Sequence, residues 1–431
     1  MRRLGVILWL LSASAIALAG SGAVRCGKLL DVQTGKLLND QIITFDETGK
    51  ITAVENAGES STKPTVNLPE ATCLPGLIDV HTHFEGDSAT FGYNGLSFSI
   101  PRFAVKAVKN ARITLNAGFT TVRDVNADGF ADVAVRDGIN DGDVPGPRMQ
   151  VSGPAITITG GHNDEGLLGP QYNYSSDGVA NGVEGVRAKV RQNIKYGADL
   201  IKVMASGGVT SQGDNPQSAE FSEEELRTIV TTAHDLGRKV AAHAHGVVAI
   251  KRAVLAGVDS VEHGSFIDDE GIRLMKEHGT YLVPTVYLGE YLLAHGEEMG
   301  MTKEMMAKAR VVIPAANQHV ANAISAGVKI AYGTDPPTYP QGQNAHQFAT
   351  LVKLGMTPLA AIQSATINAA DLMGWSDKVG ILTPGHYADV VAVKGDPIQN
   401  VRLLESVAFV MRGGEVVRND FASQPQVTPS R

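Results

Sequence analysis

Between residues 76 and 335, short β-rich runs alternate with longer amphipathic patterns, and this alternation constrains the fold more than any other feature of the chain. The runs are GLIDV (76–80), FTTVRDV (119–125), MQVSG (149–153), DLIKVM (199–204), KVAAHAH (239–245), DSVEH (259–263), YLVPTV (281–286) and KIAYGTD (329–335). Strands separated by helices need crossover connections and so run parallel. Eight such runs predict an α/β fold with a closed (β/α)8 TIM-like barrel over residues 75–374. The helical patterns include 222–237, where Ser222 and Glu225 predict a capping box, and the amphipathic stretches 302–327 and 357–374.

The flanks read differently. Residues 22–74 are short strands with Thr-Gly-Lys turns at 34–36 and 48–50, and residues 375–420 return to the same pattern. The two segments are expected to build one small β-sandwich domain from both chain ends, with a disordered tail at 421–431.

Residues 1–20 begin with Arg2 and Arg3, continue as an apolar, charge-free run and end in small residues, which predicts a secretory signal peptide. The alternative is an uncleaved anchor, for which the run is short. Cleavage would take the net charge from −8 to −10 and leave a periplasmic or secreted protein with no membrane contact. The acidic balance and the absence of a Lys/Arg block argue against nucleic acid as a partner. Cys26 and Cys73 are too few for a disulfide scaffold or a thiolate zinc site; in an oxidising compartment they either pair or remain a free buried pair.

In a barrel of this kind the active site lies at the carboxyl ends of the strands. Residues i and i+2 of a strand share a face, so His81 and His83 project together, as do His243 and His245. His263 and Asp335 end two further runs, and Lys202 lies within a fourth. Five of the chain's twelve histidines thus fall at strand ends, which points to a metal centre. An ammonium cannot ligate a metal, whereas a lysine that has reacted with CO2 carries a carbamate whose two oxygens can bridge two ions. The plainer reading is that Lys202 bonds a neighbouring carboxylate.

The segments LPGLIDVHTHFEGD, LIKVMASGGVTSQGD, VAAHAHG, VEHGSF, YGTD and PGHYADVVAVKGDP make the chain similar to metal-dependent amidohydrolases over residues 22 to 418. It most resembles the branch of imidazolonepropionase-like proteins, Xaa-Pro and Xaa-Arg dipeptidases and ochratoxin-hydrolysing amidases. The resemblance implies two divalent ions, usually zinc, held as follows. His81, His83 and Asp335 bind one, His243 and His263 the other, and carboxylated Lys202 bridges them. Asp335 is then also the catalytic proton carrier, and His162 contacts the substrate carbonyl unless it is a plain loop histidine. His245 belongs to the pocket or supports a ligand, and Tyr287 either touches substrate or packs. The Gly207–Gly208 pair offers N–H groups for a substrate carboxylate, or simply lets the chain turn. The implied activity is hydrolysis of N-acyl amino acids or dipeptides with a free C-terminal carboxylate, possible substrates including ochratoxin-type phenylalanine amides. Cyclic amides or lactones are the alternative. The substrate is a small molecule, and relatives commonly form homo-oligomers.

Overall fold

The computed structural model describes residues 20–87, 90, 92–164 and 166–422. The expected signal peptide lies outside the described residues apart from Gly20, as does the expected tail beyond Ala422. No helix among the described residues is long and apolar enough to cross a membrane.

Both chain flanks meet in one sheet. Its strands follow the order Glu415–Asn419, Phe409–Arg412, Val390–Lys394, Val66–Pro75, Gly22–Asp31, Lys36–Phe45 and Ile51–Asn56. The seam is the antiparallel pairing of Val390–Lys394 with Val66–Pro75, running from Val390 opposite Pro75 to Lys394 opposite Ala71. Where a β-sandwich was expected, the seven strands are joined in a single hydrogen-bonded sheet. One face buries Val24, Ile43, Leu68, Val390 and Phe409 against each other. The Thr-Gly-Lys turns sit where expected, with φ of 74° at Gly35 and 73° at Gly49, values that a side chain resists. Cys26 and Cys73, both fully buried, are joined in a disulfide between the first and fourth strands of the chain.

The central region is a TIM-barrel-like α/β fold. Three parallel strands, Leu77–Thr82, Phe119–Asp124 and Arg148–Val151, form one sheet. Four more, Leu200–Met204, Lys239–Ala244, Ser260–His263 and Tyr281–Val283, form a second. At one seam Ile156 bridges Val203; at the other Ile330 bridges Leu282 while Val80 N–H donates to the Tyr332 carbonyl. The expected eighth strand, 329–335, is therefore only an isolated bridge, and the described residues do not form eight regular strands. The reason lies in where its N–H groups go: Tyr332 N–H donates to the Ser364 carbonyl and Thr334 N–H to Asp79 Oδ1, so the ladder with Tyr281–Val283 does not continue.

Glu223–Asp235 starts at Ser222 with both halves of the capping box formed, and buries Leu226, Ile229, Val230 and Ala233 along one stripe. The 357–374 stretch is two helices, Pro358–Ser364 and Ile367–Met373, not one. The carbonyls of Ser364 and Ala365 accept N–H groups from Tyr332 and Ile78, so the helix yields two main-chain acceptors to the inner strands.

Candidate active site

The strand ends bring the sequence's histidines into one cluster. Ring centroids of His81 and His83 are 5.2 Å apart, His81 and His263 5.1 Å, His243 and His263 4.7 Å, and His243 and His245 4.6 Å. Asp335 Oδ1 lies 3.1 Å from His83 Nε2 and 3.6 Å from His81 Nε2. Two sets of possible ligand atoms each lie within 4.8 Å of one another: His81, His263 and Asp335, and His243, His245 and His263. His263 thus stands between the two sets, and His245 is as close to the cluster as the histidines expected to ligate. His263 and Asp335 both sit at positive φ, 69° and 59°, a conformation that costs a non-glycine residue roughly 1–3 kcal/mol.

The donor set suits divalent cations. Burial, followed by the Lys202 charge, lowers His81 to about 4, and burial lowers His245 to about 3. His243 and His263 are also pushed well down, first by burial and then by their neighbouring imidazoles. These rings are neutral at ordinary pH and keep a lone pair for a ligand. One nitrogen of each of these four rings is already committed: His81 Nδ1 to Glu262 at 2.7 Å, His245 Nδ1 to Ser265 at 2.7 Å, His263 Nδ1 to Thr285 at 2.6 Å and His243 Nε2 to the Gly207 carbonyl at 3.2 Å. Such partners fix ring orientation around metals. Asp335 is held below the ordinary carboxylate range: burial would raise it, but His81 and His83 outweigh that.

Lys202 is 1% exposed and makes no hydrogen bond or ion pair among the described residues. Burial lowers its amine to about 8. It lies in the same basin as His81, His83, His243, His263 and Asp335.

The loop residues have different fates. His162 stacks on His243 with ring centroids 4.3 Å apart, and its backbone N–H donates to Glu220. Gly207 and Gly208 do not present free N–H groups. Gly207 N–H donates to the Ser218 carbonyl and Gly208 N–H to Asp214 Oδ2 at 2.7 Å. Glycine is needed there for close approach, since a Cβ on Gly208 would lie 2.0 Å from His162 Cε1 and one on Gly207 2.3 Å from the Asn215 carbonyl oxygen. Tyr287 lines neither cleft described below: its hydroxyl bonds Gln343 at 3.1 Å and its ring stacks on His346. Sequence reasoning did not single out Glu262 or Arg123. Glu262, adjacent to His263 in VEH, is fully buried, and a charged residue inside a strand was the available signal.

Two clefts meet at the cluster. One is lined by Val209, Val286, Leu288, Leu292, Val312 and Ile313 together with His162, His243, His245, His263 and Asp335. The other is wider and more polar, and carries His81, His83, Asn126, Asp164 and Lys202.

Residues 72–418 match the amidohydrolase family. The chain is 37% identical over 404 residues to an ochratoxinase of Aspergillus niger, covering 89% of this chain and 82% of that protein. A crystal structure of a Xaa-Pro dipeptidase with methionine in its active site superposes with a TM-score of 0.85 at 37% identity, over 92% of this chain and 99% of that one. A prolidase complexed with N-methylphosphonate-L-proline gives 0.84 at 32% identity, over 92% and 99%. With this site at its strand ends, the chain belongs to the amidohydrolase family and is a hydrolase of amide bonds.

Proposed function

We propose that the protein cleaves the amide of N-acyl amino acids or dipeptides whose C-terminal residue is apolar and carries a free carboxylate. The observation that carries this reading is the apolar cleft opening directly on the histidine cluster and Asp335. An apolar side chain buried there leaves water and places its neighbouring amide at the cluster. A dipeptidase relative with methionine in its active site agrees with such a pocket.

Two divalent ions, zinc in the first instance, suit these residues: His81, His83 and Asp335 would hold one, His243 and His263 the other, and Lys202, once carboxylated, would offer its oxygens to both. Such ions supply an acidified water and a Lewis acid for the carbonyl. Asp335 is the proton carrier of the site. Being ionised, it can accept a proton from the attacking water and deliver it to the departing nitrogen. The Lys202 amine, lowered to about 8, has an appreciable neutral fraction near neutral pH, which its reaction with CO2 requires. Release into the periplasm or beyond the cell accords with the Cys26–Cys73 disulfide. Assembly into homo-oligomers is proposed from the habit of the relatives alone.

Because Gly207 and Gly208 are already engaged, the substrate carboxylate falls to Thr210, Asn317 and His245, which line the apolar cleft. That engagement also favours keeping one second reading, hydrolysis of cyclic amides or lactones. The test compares kcat/KM for an N-acyl-phenylalanine with that of its methyl ester and primary amide. Loss of a charge-assisted contact should lower kcat/KM for the blocked compounds by roughly tenfold to a hundredfold. Equal turnover would remove carboxylate recognition and leave the cyclic-substrate reading.

A further inference from the structure

The loop after Leu200–Met204 is clasped to the helix Lys303–Ser325 by a partly buried lysine. Lys308 Nζ donates to three acceptors: the Gly208 carbonyl at 3.1 Å, the Ser211 carbonyl at 2.9 Å and Asp214 Oδ1 at 2.6 Å. Those three bonds use all the protons of an ammonium. Asp214 Oδ2 accepts from Gly208 N–H at 2.7 Å and from the Ser211 hydroxyl at 2.6 Å. The same hydroxyl oxygen lies 2.7 Å from His162 Nδ1.

The direction of each bond follows from the chemistry of its ends. Asp214 is an ionised carboxylate and can only accept: burial would raise its pKa, but the bonds from Lys308, Ser211 and Gly208 N–H keep it below the ordinary value. The single Ser211 proton therefore goes to Asp214, because reversing it would set two acceptors against each other. His162 Nδ1 must then be the donor to Ser211. We propose that Lys308, Asp214 and Ser211 are positioning residues that fix His162 in its Nδ1–H form, leaving a bare Nε2 for the clefts to use as a hydrogen-bond acceptor. The residue is held further by its backbone N–H on Glu220 at 2.8 Å and by the stack of its ring on His243, and Gly208 leaves the ring the space a Cβ would fill. A His162 in this form cannot donate to a substrate carbonyl through Nε2. Its partner in the cleft is a donor, the substrate N–H or a water.

The kinetic part of the test rests on the amide-hydrolase reading; the spectroscopic part needs no substrate, so the two can fail separately. In protein carrying 15N-labelled histidine, the His162 signals, assigned by their loss in His162→Ala, should show a protonated Nδ1 and an unprotonated Nε2. In Ser211→Ala the two tautomers should mix. Ser211→Ala and Asp214→Asn should each lower kcat/KM roughly tenfold to a hundredfold, as loss of a supporting partner does, and Ser211→Thr should restore it. In the His162→Ala background neither should lower it further. Ser211→Ala removes no charge and keeps the test open if Asp214→Asn, which unpairs Lys308, does not fold. A protonated Nε2 in the wild-type protein, or losses that multiply in the His162→Ala background, would overturn the proposal.

Discussion

Replacing Glu262 by Gln removes one charge from the centre of the barrel. Glu262 is fully buried and accepts from His81 Nδ1 at 2.7 Å, from Arg123 Nη2 at 2.8 Å and from the Ser260 hydroxyl. Arg123 is itself 1% exposed, and Glu262 is its one ion-pair partner among the described residues. Its other donors go to the Val80 carbonyl and to Ser260. A guanidinium left buried without its carboxylate costs about 3–5 kcal/mol. The amide keeps one acceptor, which places Glu262→Gln at the low end, about 3 kcal/mol. At roughly 2.1 cal/mol/K of unfolding entropy per residue, about 400 residues melting together turn that into a fall in Tm of about 4 °C. The assay is thermal unfolding by circular dichroism in excess chelator, so that lost metal affinity does not enter the comparison. Arg123→Met combined with Glu262→Leu removes both charges and should recover much of the stability. It should not recover activity, because His81 then has no acceptor for Nδ1. A Tm for Glu262→Gln within about 1 °C of wild type, or a double variant no more stable than the single one, would refute the reasoning.

Three other outcomes follow from the same geometry. The buried imidazoles have folded pKa values below the unfolded value of about 6.5, so the unfolded chain binds protons first, and their contribution is complete above about pH 6.5 and lost as pH falls towards about 4. Denaturant unfolding of chelated protein should therefore show a marked loss of stability between pH 7 and pH 5, and a flat profile would exclude it. Gly208→Ala forces a Cβ to within 2.0 Å of His162 Cε1, so the ring must move; kcat should fall at least tenfold, on the order expected for a displaced supporting contact. Normal turnover would mean that His162 does not act in the reaction. Lys202→Arg cannot form a carbamate, so elemental analysis should fall below the two divalent ions expected per wild-type chain, and an unchanged metal content with full activity would remove the bridge.

Much of the site was legible because strand periodicity is local. An i, i+2 spacing sends His81 with His83 and His243 with His245 to one side, whatever the rest of the chain does. The capping box at Ser222 and Glu225 is legible for the same reason: its two hydrogen bonds join residues three apart. Order along the chain was enough to expect parallel strands, since intervening helices leave no other connection.

What tertiary structure decided lies between residues far apart in sequence. Glu262 reaches His81 across 181 positions, and Lys308 reaches Asp214 across 94. Nothing in either local pattern announces the partner. The 357–374 stretch has a continuous helical period, yet breaks because Ile78 and Tyr332 draw its carbonyls into the strands. Gly207 and Gly208 could hold an anion or simply turn the chain; their N–H groups go instead to Ser218 and Asp214, and Asn215 and His162 pack where side chains would stand. The physical division is one of range. Backbone geometry repeats over a few residues and writes itself into sequence period, whereas the acceptor a buried donor finds depends on which distant surfaces the packed core brings together.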